Sequence, residues 1–204
     1  MGKRRGHEAQ IRQRIASEAA RIMTEQGVRD FGQAKRKAAT RLGVESTRNL
    51  PNNQEIEAAF EEYLRLFRGD SQPSQLRRLR EAAVQAMRMF APFRPRLVGP
   101  VLHGTADAYS AVNLHLFADT SEEVDLFLLD RQVPYQVDTR TLKLGADESA
   151  TFPVYRFVAG DVAIELTVFT ERSRRPPLSP VDGRPMQRAG LDRVEALLAE
   201  AAGA

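Results

Sequence analysis

Residues 96–119 read RLVGPVLHGTADAYSAVNLHLFAD: a strand, a polar turn and a second strand. Leu97 to Leu102 is apolar with Gly99 and Pro100 inside it, and His103-Gly104-Thr105-Ala106-Asp107 interrupts it. From Ala111 to Phe117 the side chains alternate. Val112, Leu114 and Leu116 take one face, and Asn113, His115 and Phe117 take the other. A period of two is the mark of a half-buried strand, because successive side chains leave opposite sides of the pleat. The second face therefore carries two polar groups, two positions apart, shortly after a glycine turn.

Downstream, Ser121 caps a helix to about Asp130, with Glu122 and Glu123 in its first turn, where the helix dipole favours acids. Residues 134–141 alternate as a strand, and 142–150 read as a loop. Phe152–Ala159 and Asp161–Thr170 form two strands around a turn at Ala159-Gly160-Asp161. In the second of these, Ala163, Glu165, Thr167 and Phe169 share a face. A Pro-rich loop covers 173–185 and a closing helix 187–201, with Leu191, Val194, Leu197 and Leu198 as its apolar stripe.

Upstream, apolar residues recur at helical spacing in four segments, about 6–26, 28–42, 54–67 and from Asp70 or Ser74 to Met89. The tract Ala38–Val44 faintly resembles the opening of a helix-turn-helix, but Pro51 and two asparagines delay the next helix beyond its usual tight turn. The chain thus divides into a helical domain, 1–92, and a second domain, 93–204, that mixes strands and helices. The fold class is α+β.

The formal charge of +3 is unevenly spread over the 204 residues. Residues 1–48 hold 12 Lys and Arg against 5 Asp and Glu, 49–92 hold 6 of each, and 93–204 hold 12 against 16. A basic front end admits RNA as a partner, through Lys35, Arg36, Lys37 and Arg41, although a solvated helix surface has the same composition. No apolar run approaches the roughly 20 residues that a membrane span requires. The start, MGKRRGHEAQ, leads into an amphipathic segment and not an apolar one, so no secretory signal is read and a cytoplasmic protein is expected. Cysteine is absent, which excludes disulfides and thiolate chemistry. GxSxG, Walker A, GxGxxG and HExxH patterns are likewise absent, and the enzyme classes they mark lose their signatures.

The layout of residues 96–170 resembles the nucleotidyltransferase superfamily, in its polymerase-beta-like form. The resemblance implies a mixed sheet flanked by helices, and a Gly-Ser or Gly-Thr turn whose backbone N–H groups meet a phosphate. It also implies carboxylates on neighbouring strands that hold a divalent metal, Mg²⁺ or Mn²⁺, against an NTP. By position, Gly104 and Thr105 match the turn, with Asp107 beside it. Asn113 and His115 stand where two metal carboxylates belong, and Glu165 matches the third. On that reading Glu165, His115 and Asn113 are the catalytic set, with Glu165 and His115 the metal ligands.

The replacements bear on chemistry. Each lost carboxylate removes roughly 4 kcal/mol of attraction per unit of partner charge at about 4 Å and an effective dielectric near 20. Mg²⁺ favours oxygen ligands, and imidazole suits other metals. Three possibilities stay open: a non-catalytic nucleotide or RNA binder, a site using other carboxylates (Asp107, Asp119, Glu165), or a transferase with another metal. His103 with His115 is a further metal pairing. An active protein would pass a nucleoside monophosphate from NTP to RNA or protein; a pseudoenzyme would keep the fold as a nucleic-acid-binding, regulatory or adaptor scaffold. The arginines of the Pro-rich tail, Arg172, Arg174, Arg175, Arg184 and Arg188, either reach phosphate or belong to a packed connector.

Overall fold

The computed structural model describes residues 2–44, 50–67, 72–170 and 175–202. Asp70, Arg172 and Arg174 lie outside the described residues. The chain is α+β, with an N-terminal helical region followed by a five-stranded mixed sheet. Two compact units are formed, Met1–Gln72 with Pro180–Asp182, and Pro73–Ser179 with Gly183–Ala204.

The first unit holds α1 (Gly2–Gln26), α2 (Phe31–Arg41) and α3 (Asn53–Phe67). Its core is the stripe expected from helical spacing: Ile15, Ala19 and Ile22 meet Ala34, Ala38, Ile56, Phe60 and Leu64, all buried. Alanines on α1 and α2 let the backbones approach closely. Asp30 caps α2 through the Gln33 amide, and Asn52 and Glu55 exchange bonds at the start of α3 as a reciprocal cap.

The second unit begins with α4 (Gln72–Met89). The sequence grouped this helix with the N-terminal ones, ending their domain at residue 92. Its apolar stripe, Leu79, Ala83, Val84 and Met87, instead enters the core of the sheet. A 3-10 turn (Ala91–Phe93) leads to β1 (Arg96–Val98), α5 (Pro100–His103), β2 (Val112–Ala118), α6 (Ser121–Asp130), β3 (Gln136–Lys143), β4 (Ser149–Ala159), β5 (Val162–Thr170) and α7 (Leu191–Ala202). The strand expected over Leu97–Leu102 is therefore three residues of strand and one turn of helix. Pro100, at the first turn of α5, cannot donate to a ladder but suits a helix start.

The sheet order is β1-β2-β5-β4-β3. β2 runs parallel to β5, and the other neighbours are antiparallel. One face is apolar: Leu114, Leu116, Ile164, Leu166 and Val168 pack with Phe90, Val124, Leu128 and Val194 from the helices and their flanks. A fully buried Leu or Ile contributes roughly 2 kcal/mol, so this layer dominates the unit's stability. Arg80 reaches into it and donates to the carbonyls of Val101 and Leu197, joining α4 to α5 and α7. No helix among the described residues is long and apolar enough to cross a membrane.

Candidate functional site

The opposite face of the sheet follows from strand register alone. Arg156 of β4, Glu165 of β5, Asn113 of β2 and Val98 of β1 form one row of partners. Val154, Thr167, His115 and Arg96 form the next. Phe117 and Phe169 lie beyond, with the Phe152 ring tilted against Phe169 at 4.4 Å between centroids. The face therefore grades from charged to aromatic along the strands. Asn113, His115 and Glu165 share it, and Asn113 and Glu165 are side by side.

Glu165 is bound on both oxygens. Arg140 Nη2 donates to Oε2 at 2.5 Å and Arg156 Nε to Oε1 at 2.9 Å. Arg156 also donates to Asp138. Burial alone would push Glu165 up, but Arg140 and Arg156 outweigh it and hold the carboxyl below its ordinary value.

His115 is only 3% exposed, and its Nδ1 accepts from Arg188 Nε at 3.0 Å. Burial, reinforced by the charges of Arg188 and Arg140, pushes its pKa down to about 3, so the ring is neutral with its proton on Nε2. Arg188 is positioned by the residue after it. Ala189 and Leu97 exchange backbone bonds, each 2.9 Å, so the returning chain lies against β1. Arg188 then crosses the face, 4.7 and 5.0 Å from the ring centroids of Phe169 and Phe117. Its pKa is lowered to about 10 by burial and by Arg96.

The turn residues do not join this face as expected. Gly104 is the left-handed C-cap of α5 (φ 84°), and its N–H and that of Thr105 both donate to the Pro100 carbonyl. These donors are engaged within the turn, and a Cβ at Gly104 would face Arg80 and Leu76. The glycine beside Asn113 is Gly99, at the strand-to-helix corner with φ 74°, where an added Cβ would lie 3.7 Å from Asn113 Nδ2. Asp107 is buried in its own turn: its Oδ1 accepts from Tyr109 N and Ser110 Oγ. Asp119 and His103 are exposed, at the end of β2 and in α5.

A divalent cation fits this donor set poorly. Both Glu165 oxygens face guanidinium groups, and the His115 Nδ1 lone pair receives Arg188. Among the described residues no group of three His, Asp or Glu side chains is placed to hold a metal ion. The arrangement is a guanidinium–carboxylate network on a partly buried face, built from the type of donor that also binds oxyanions. Of its members, Arg140 and Arg156 were missed in the sequence. Their one signal is a positive charge on the same face of its strand as the site, Arg140 in step with Asp138 on the largely exposed β3 and Arg156 in step with Val154 on β4.

Lys35, Arg36, Lys37 and Arg41 lie on α2 in the first unit, where Arg41 is bound to Glu18 at 2.9 Å. A shallow groove of about 600 Å³ in the same unit is lined by residues including Arg14, Glu18, Tyr63 and Phe67. No family model and no curated protein matches this chain.

Proposed function

We propose that this protein is a nucleotide binder on a nucleotidyltransferase-like scaffold, in which ordinary metal-dependent transfer has been lost. The observation that carries the reading is the parallel register of β2 and β5, with Asn113 opposite Glu165 and His115 opposite Thr167. The resemblance of residues 96–170 to the nucleotidyltransferase superfamily implies phosphates held over such a pair of strands. Here two of the three positions where the resemblance puts carboxylates hold the neutral Asn113 and His115, and the third, Glu165, is bound by Arg140 and Arg156. Phosphate attraction is retained and the metal clamp is not.

Calorimetric titration with ATP, GTP, CTP and UTP, run with EDTA and with Mg²⁺ or Mn²⁺, tests it together with incubation of α-labelled NTP, bulk RNA and protein. Binding without label transfer is the expected result. Metal-dependent transfer would restore the enzyme reading, and absence of binding to every NTP would remove the nucleotide.

A further inference from the structure

Four arginines, Arg96, Arg140, Arg156 and Arg188, come from four separate segments and meet around one sheet face. The carboxylates bound there among the described residues are Glu165 and Asp138, and His115 is neutral. Glu165 has a side chain only 20% exposed, yet it belongs to a row whose neighbour Asn113 is a neutral donor. Arg188 lies half-buried over the rings of Phe169 and Phe117, with its Nε on the neutral ring nitrogen of His115.

Resting on the reading above, we infer that this face binds the polyphosphate part of its ligand directly on Arg140, Arg156 and Arg188, without a divalent cation, and that Glu165 is the internal counter-anion which the ligand displaces. The carboxylate bridges the two guanidinium groups much as a phosphate would, accepting one N–H from each on separate oxygens. Incoming phosphate oxygens take over those donors, beside Asn113 of the same row, whose Nδ2 donates to the Ala111 carbonyl at 3.0 Å. Glu165 is then a competitor for the site and not a ligand-holding group. This reverses the sign expected of a metal carboxylate, whose removal abolishes binding.

The test uses the full chain, inorganic pyrophosphate and tripolyphosphate as probes, and EDTA throughout, read by calorimetry. Wild-type protein binds both probes. Glu165→Gln, which keeps a hydrogen-bonding side chain between the arginines, tightens binding roughly fivefold by removing a competing charge. Arg140→Gln and Arg188→Gln each weaken it by roughly tenfold or more. Thermal melts of each variant exclude loss of fold as the cause. Failure of either probe to bind in EDTA, or weaker binding by folded Glu165→Gln, overturns the inference. Repeating the titration with ATP separates the two claims. Pyrophosphate binding without ATP binding leaves the anion site standing and removes the nucleotide. ATP binding only with Mg²⁺, lost in Glu165→Gln, keeps the nucleotide and removes the metal-free site.

Discussion

Arg188 donates its Nε–H to Nδ1 of His115 at 3.0 Å, although 73 residues of chain separate the two. The bond fixes the histidine tautomer and holds a cation against a buried ring that it keeps uncharged. The C-terminal segment is thereby tied to the middle of the sheet.

The pH dependence follows from this pair. His115 has its folded pKa pushed down to about 3, whereas the unfolded chain protonates near 6.5. Below about pH 6.5 the unfolded state binds the extra proton, so stability is full above that pH and falls progressively toward pH 3. The loss is at most about 5 kcal/mol. Glu165, also held low, adds a loss in the same direction as pH falls below its unfolded value and through its folded one. Urea midpoints between pH 7 and 4 should therefore decline, and His115→Gln should flatten the slope above pH 5. An unchanged slope contradicts the assignment of a neutral buried ring.

Arg156 bridges Glu165 and Asp138 while about a third exposed. Solvent screens such a network, so Arg156→Ala should cost about 1 kcal/mol and not more than about 2. High salt should shrink the difference from wild type, measured by urea unfolding at two ionic strengths. A salt-independent loss would show that packing of the arginine stem, and not its charge, is what matters.

Arg80 is 7% exposed and serves two carbonyls, those of Val101 and Leu197. Arg80→Ala leaves both without these donors and opens a gap beneath α5, so unfolding free energy should drop by about 2–4 kcal/mol. An effect below about 1 kcal/mol would mean that water replaces the guanidinium without cost.

The two glycines of the α5 corner separate fold from ligand. Gly104→Ala strains a left-handed residue and should destabilise by about 1 kcal/mol, with pyrophosphate affinity unchanged. Gly99→Ala strains its backbone too (φ 74°). Because the new methyl would lie in van der Waals contact with Asn113, 3.7 Å from Nδ2, relief of that strain displaces Asn113, so both stability and affinity should fall. Equal affinities for the two variants would detach Asn113 from the site.

Much of this fold can be read in the residues. The alternation from Val112 to Phe117 and from Val162 to Phe169 gives β2 and β5 with the right faces, because period two survives burial on both sides. The Leu97–Leu102 run misleads because two apolar pairs around Gly99-Pro100 fit a short strand plus one helical turn as well as a longer strand, and Pro100 settles the matter. The apolar stripe of α4 says that the helix packs but not on what, so the boundary near residue 72 is set by contacts the sequence does not display. The arginines of the site are the harder case. Arg140 is four positions along β3 from Gln136, the residue in the Arg156 and Glu165 row, and only the fixed register and a long side chain bring it back to Glu165.

The most direct measurement is an NMR titration following the Nε–Hε resonances of Arg140, Arg156 and Arg188 as pyrophosphate is added in EDTA. Saturable shifts are expected in all three, with the Glu165 carboxylate released from the arginines over the same range. No shift in EDTA, with Mn²⁺ instead broadening signals around Asn113 and Glu165 before any anion is present, would contradict it.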